Sequence, residues 1–189
     1  MNPLLNAVVE DRFFDAIEDA KKADQICEET SVIYIIKNYP LLGVPFTVKE
    51  SCAVKNLSHS GGSLQHLGTK ADKDSVVVEK LKAAGAIPLL VSNTPEYCLS
   101  WEWYLLLLNS FKLLLKLITF IFNSYNHISG RTLNPYDSSR TSGGSSGGEG
   151  ALLGAGASVF GVGSDIAGSI RVPSLFNGIF GHKPTAGKL

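Results

Sequence analysis

Apolar side chains recur along the first half of the chain at two different spacings. Between residues 6 and 27, Ala7, Val8, Phe13, Phe14, Ile17, Ala20 and Cys27 stand among charges at roughly helical intervals, which predicts one amphipathic helix lying over a sheet. In SVIYIIKNYPLLGVPFTVKES, residues 31–51, two runs rich in branched and aromatic side chains are joined through Asn38, Pro40, Gly43 and Pro45. That pattern predicts strand, turn, strand, with Lys49 at the end of the second apolar run. DSVVVEKLKAAGAIPLLVSNT, residues 74–94, then predicts a capped helix stopped at Gly85 and a buried strand. A helix between two strand-length apolar runs is a βαβ alternation, so the expected class is α/β, a central mixed sheet covered by helices. From residue 148 onward small residues alternate with apolar ones, which suits elements that approach closely.

Residues 103–122, WYLLLLNSFKLLLKLITFIF, interrupt this pattern with a long apolar run. The length would span a bilayer, but Lys112 and Lys116 fall near its middle, where each charge costs about 2.5 to 3.5 kcal/mol on insertion scales. On a helical wheel Glu102, Asn109, Lys112, Lys116, Thr119 and Asn123 form a narrow polar stripe, with every other face apolar. Such a helix fits a membrane surface or another protein, or a buried or artefactual segment.

Charge narrows the partners little: 17 basic residues balance 17 acidic ones, so no net field draws nucleic acid. The three cysteines, Cys27, Cys52 and Cys98, have neither CxxC nor metal-ligand spacing with the four histidines; they read as reduced packing residues, with no metal or cofactor implied. The start, MNPLLNAVVEDRF, lacks the pattern of a secretion signal, and a cytoplasmic or membrane-associated location is the expectation.

The candidate chemistry lies in SGGSSGGEG, residues 142–150. A phosphate loop matches through Gly143 and Gly148 but has Glu149 and Gly150 where Lys and Ser or Thr are required, and a carboxylate there repels phosphate. A nucleophile elbow matches through Gly143, Ser145 and Gly147, with Asp165 and His182 following in the hydrolase order. That elbow must follow a buried strand, however, and the polar LNPYDSSRTS precedes this one.

A third reading uses more of the chain. GVPFTVKES around Lys49, GRTLNPYDSSRTSGGSSGGEGALLGAG over 130–156 and VGSDIAGSIRVPSLFNGIFGHKPT over 162–185 together resemble the amidase signature family, and within it the fatty-acid amide hydrolases. The resemblance implies a Ser-Ser-Lys triad: Ser169 as nucleophile, Ser145 as bridging serine and Lys49 as base. It implies a cis peptide between Gly144 and Ser145, and an oxyanion hole from the backbone N–H groups of Ile166, Ala167, Gly168 and Ser169. Ser142 and Ser146 are expected to orient the relay, and Asp165 and Arg171 to fix the shape of the loop. The base must be a neutral lysine, because an ammonium has no lone pair, so burial has to lower its pKa. Ala167 departs from the family's usual glycine and narrows the expected oxyanion pocket by one methyl.

The implied substrate is a small amide or ester, with neither cofactor nor nucleic acid. A pair of copies is an expectation for the intact protein, as is peripheral membrane contact through 103–122. Family members are about twice this length or more, so the chain reads as a partial amidase domain, truncated at both ends. Residues 103–122 are extra to the family pattern, and their Leu, Ile, Phe, Lys and Asn bias resembles translated AT-rich non-coding sequence. A retained intron and an interfacial helix are the two readings of that insert. The rival functions are the glutamine-hydrolysing subunit of an amidotransferase and an inactive fragment with an exposed sheet edge.

Overall fold

The structure is a computed structural model that describes residues 2–99 and 123–187. The insert read at 103–122 lies outside the described residues. Helix α1 (Asn2–Leu5) leads into strand β1 (Val8–Asp11), helix α2 (Phe13–Glu29) and helix α3 (Val32–Asn38). Strand β2 (Pro45–Lys49), helix α4 (Val76–Ala83) and strand β3 (Ile87–Ser92) form the βαβ unit. After the two-residue strands β4 (Tyr125–Asn126) and β5 (Gly130–Arg131) come helix α5 (Gly147–Gly154), strand β6 (Phe160–Val162) and helix α6 (Arg171–Phe176). The main sheet has the order β1-β3-β2-β6; β2 runs parallel to β3 and β6, and β1 is antiparallel. The α/β class and the mixed sheet follow.

Two local expectations are corrected. Residues 8–11 are strand, not the start of a helix, because the edge of β3 takes their backbone groups and Val8 pairs with Ser92. The helix begins at Phe13 and buries Ala16 and Ala23, while Phe14 and Ile17 point outward. Residues 32–38 are likewise helix and not strand. Ser31 caps it, its hydroxyl accepting from the Tyr34 N–H at 3.4 Å, and no neighbouring strand competes for a segment whose side chains all stay at least partly exposed.

Alternation along β2 positions the chemistry. Phe46 and Val48 face a core with Val54, Leu57, Val78, Ala86, Val91 and Val162, and Phe46 stacks on Phe160 at 5.2 Å. Thr47 and Lys49 therefore turn to the opposite face, where α5 packs over a second cluster of Leu5, Ala7, Leu90, Ala151 and Leu152. The βαβ crossover closes tightly: Gly85 has φ +94°, and a Cβ there would meet Leu42 Cα at 2.7 Å. Gly85→Ala is expected to lower stability by about 2 to 3 kcal/mol, measured by urea unfolding, since the backbone strain and the collision add.

Candidate active site

The stretch 141–150 is buried at every residue. Its composition follows from what surrounds it: a Cβ on Gly148 would lie 2.5 Å from Asn93 N, and one on Gly144 would lie 2.9 Å from Asn123 O. Hydroxyls replace side-chain bulk as the fastening. Ser124 Oγ accepts from Gly147 N at 2.8 Å and lies 3.2 Å from Ser145 O, which also accepts from Thr94 Oγ1 at 3.3 Å. The peptide between Gly144 and Ser145 is cis.

Lys49 is wholly buried. Its Nζ lies 2.6 Å from Ser145 Oγ and 2.9 Å from Ser164 Oγ. Burial holds its pKa below the ordinary lysine value, against the opposing pull of Cys98, Cys52 and Glu149. Burial acts to raise the Cys98 thiol, but Lys49 together with hydrogen bonds from Ser51 and Thr94 leaves it below its usual value; the Cys52 thiol is pushed up by burial. Cys98 and Cys52 thus lie near the amine, partly buried, while Cys27 is exposed.

Ser169 is half-buried and is tied to the glycine-serine segment through the backbone, Ser146 N donating to Ser169 O at 3.1 Å. Its hydroxyl makes no hydrogen bond among the described residues, so the direct contact is between Lys49 and Ser145. Of the four backbone N–H groups expected to line an oxyanion hole, one is engaged within its own loop. Gly168 N donates to Asp165 Oδ1 at 2.7 Å, whereas the N–H groups of Ile166, Ala167 and Ser169 have no acceptor among the described residues. Asp165 also accepts from Ile170 N at 3.0 Å and Arg171 N at 3.2 Å, and its carboxylate pairs with the Arg171 guanidinium at 3.0 Å. Ser142 and Ser146 donate to backbone carbonyls, of Thr132 and Ser164 respectively at 3.4 Å each, and not to the Ser145 hydroxyl.

These contacts bear on the elbow reading as well. Asp165 is committed to its own loop, and the segment before Gly143 is not a strand of the main sheet. His182 is exposed at the rim of a cleft of about 510 Å³ that also meets Ser146, Glu149 and Phe160.

Sequence reasoning missed three polar partners. Ser164 is the second hydroxyl on Lys49. Glu50 is buried and accepts from Ser58, Ser60 and Gly61, anchoring the loop beside Lys49. Glu149 is buried on α5, accepts from Thr47 Oγ1 at 2.6 Å, and has its pKa pushed up to about 7 by burial, with Ser92, Thr47 and Lys49 opposing. The hydrophobic lead-in to Lys49 signalled burial but carried no mark of these partners.

The family model described as "Amidase" matches residues 1–189. Fatty-acid amide hydrolase 2-B of Danio rerio is 47% identical over 189 residues, covering 99% of this chain and 32% of the relative. Fatty-acid amide hydrolase 2 of Homo sapiens is 43% identical over the same coverage, 99% and 32%. Among solved structures, one titled fatty acid amide hydrolase superposes with a TM-score of 0.72 at 28% identity, covering 92% of this chain and 26% of that one. The native peptide amidase of Stenotrophomonas maltophilia gives 0.73 at 25% identity, with 92% and 31% covered. The chain spans about a third of the length of the curated relatives it matches.

The Asp165 contacts set an acid dependence. The Arg171 hydrogen bond leads in holding this carboxyl well below its ordinary range, burial opposes it, and the loop N–H groups of Ile170, Gly168 and Arg171 reinforce it. The unfolded chain binds a proton more readily, so the stabilisation is present above the ordinary carboxyl range and is lost as pH falls toward the folded value. Asp165→Asn is expected to lower unfolding stability by about 2 kcal/mol at pH 7, with the gap to wild type narrowing in acid, as read from urea midpoints across pH.

Proposed function

This chain belongs to the amidase signature family, and we propose that the intact protein is a serine amidase that hydrolyses a carboxylic amide, a fatty-acid amide included, through an acyl-enzyme. The observation that carries the reading is the 2.6 Å contact between buried Lys49 Nζ and Ser145 Oγ. Burial lowers the pKa of this amine and so favours its unprotonated form, and Ser145 is the hydroxyl within reach to give it a proton. Ser145 in turn takes a proton from Ser169, whose oxygen attacks the amide carbonyl and forms the tetrahedral intermediate. The N–H groups of Ile166, Ala167 and Ser169 are the donors left for the oxyanion, each critical hydrogen bond of this kind being worth about 2.7 to 4 kcal/mol. The proton held on Lys49 returns through Ser145 to the leaving nitrogen, the amine departs, and water releases the acyl group by the same route. Asp165 holds the oxyanion loop by engaging Gly168 and Arg171. The named fatty-acid amide hydrolases among the relatives favour a lipid-amide substrate over glutamine.

A fluorophosphonate probe is expected to modify Ser169, located by peptide mass spectrometry. Ser169→Ala abolishes the modification, and Lys49→Ala slows it by about 100- to 10,000-fold. Undiminished labelling in Ser169→Ala overturns the assignment. Because the base works only unprotonated, the labelling rate is expected to rise with pH through a midpoint below the ordinary lysine value, and this limb disappears in Lys49→Ala.

A further inference from the structure

Ser164 is a second hydroxyl on the buried amine, and the proton path through Ser145 does not use it. The sheet brings it there. Strand β6 runs parallel to β2 with Val162 opposite Val48, so the residues just past Val162 run alongside Lys49. The approach is close, since a Cβ on Gly163 would lie 2.7 Å from Ser146 Oγ and 3.0 Å from Ile170 Cγ1. Ser146 Oγ donates to Ser164 O at 3.4 Å, and the next residue, Asp165, holds the N–H groups of Gly168, Ile170 and Arg171. Lys49 Nζ therefore meets hydroxyls from two separate segments, Ser145 before α5 at 2.6 Å and Ser164 beyond β6 at 2.9 Å.

An uncharged amine has two N–H groups and a single lone pair, so only one of two neighbouring hydroxyls can donate to it and the other has to accept. The two lengths differ in the same sense. An N–H given to oxygen is about 2.9 to 3.0 Å long, which fits Ser164, whereas the 2.6 Å contact to Ser145 is shorter and falls among hydroxyl donors. The Ser164 hydroxyl has no other partner among the described residues, so its oxygen is not committed elsewhere. Once the amine takes up a proton it has three donors and no lone pair. Ser145 then changes from donor to acceptor, while Ser164 accepts in both states.

We propose that Ser164 is a positioning residue: its oxygen takes one N–H of Lys49 and so turns the single lone pair of the amine toward the Ser145 hydroxyl. The inference rests on the reading of Lys49 as base, and Ser164 acts through Lys49 alone. Its oxygen holds the charged amine more firmly than the neutral one, because a hydrogen bond from a charged donor is the stronger, so removing it favours the uncharged form. The titratable groups acting on Lys49 are Cys98 in the turn after β3, Cys52 in the turn after β2, and Glu149 on α5. A Ser164 variant leaves all three in place, and Asp165 beside it is paired with Arg171.

The test is the rate of fluorophosphonate labelling at Ser169 against pH, in the unaltered chain and in three variants whose folding is checked by circular dichroism. Ser164→Ala is expected to lower the rate reached at high pH by about 10-fold and to move the midpoint down by about one pH unit. Ser164→Thr keeps the hydroxyl and should restore both. Ser164→Val has the shape of threonine without the hydroxyl and should behave as Ser164→Ala, so this pair carries the test should the alanine variant fail to fold. A Ser164 that instead donates to the lone pair predicts the opposite signs, faster labelling and a midpoint moved up, and that result overturns the proposal. So does slower labelling with an unmoved midpoint, which is what loss of packing alone would give. The base reading is checked separately in the unaltered chain. If its labelling has no pH limb that Lys49→Ala removes, that reading fails and the positioning role fails with it. A Lys49-dependent limb that no Ser164 variant alters refutes the positioning role alone.

Discussion

An amine kept from water yet within reach of a hydroxyl is the constraint on which the rest of this structure depends. Lys49 cannot remain an ammonium cheaply once it is wholly buried, and it cannot leave the sheet, because it closes a strand whose alternate residues, Phe46 and Val48, are fixed in the opposite core. The parallel pairing of β2 with both β3 and β6 holds that strand on two sides. The position of the amine is therefore set by the central sheet and not by a loop, so its distance to the Ser145 hydroxyl is fixed by strand pairing.

The segment facing that amine meets the opposite demand, bringing backbone and hydroxyls close without bulk. Gly144, Gly147 and Gly148 each lie where a Cβ would strike a neighbouring residue, and Ser124, Thr94 and Asn93 fasten the carbonyls and N–H groups that remain. The loop carrying Ser169 is fixed differently, by one carboxylate. Asp165 accepts from three backbone N–H groups and an arginine, which leaves the N–H groups of Ile166, Ala167 and Ser169 without an acceptor among the described residues.

How much of this was legible in the sequence differed by scale. The βαβ unit could be read because α4, Gly85 and β3 carry consistent local signals in capping, turn and apolar run. In the first forty residues the amphipathic helix α2 could be read but its two neighbours could not: Val8 takes a strand conformation because β3 offers it a partner 84 residues later, at Ser92, and the branched run of α3 is capped locally by Ser31 with no sheet beside it. The residues around Lys49 were legible through three motif blocks, whereas Ser164, Glu50 and Glu149 were not, since hydrogen bonds between distant segments leave no periodicity. Gly168 shows the same limit from the other side: its N–H is consumed by a side chain three residues earlier, which spacing alone does not reveal.

The outward faces of α2 and α3 have a consequence for handling the molecule. Phe14, Ile17, Ile33 and Ile36 meet solvent on consecutive helices, a surface that water does not reward and that any similar surface nearby can satisfy. Contact between such side chains on separate copies would grow more favourable as concentration rises, at positions remote in sequence from the glycine-serine segment.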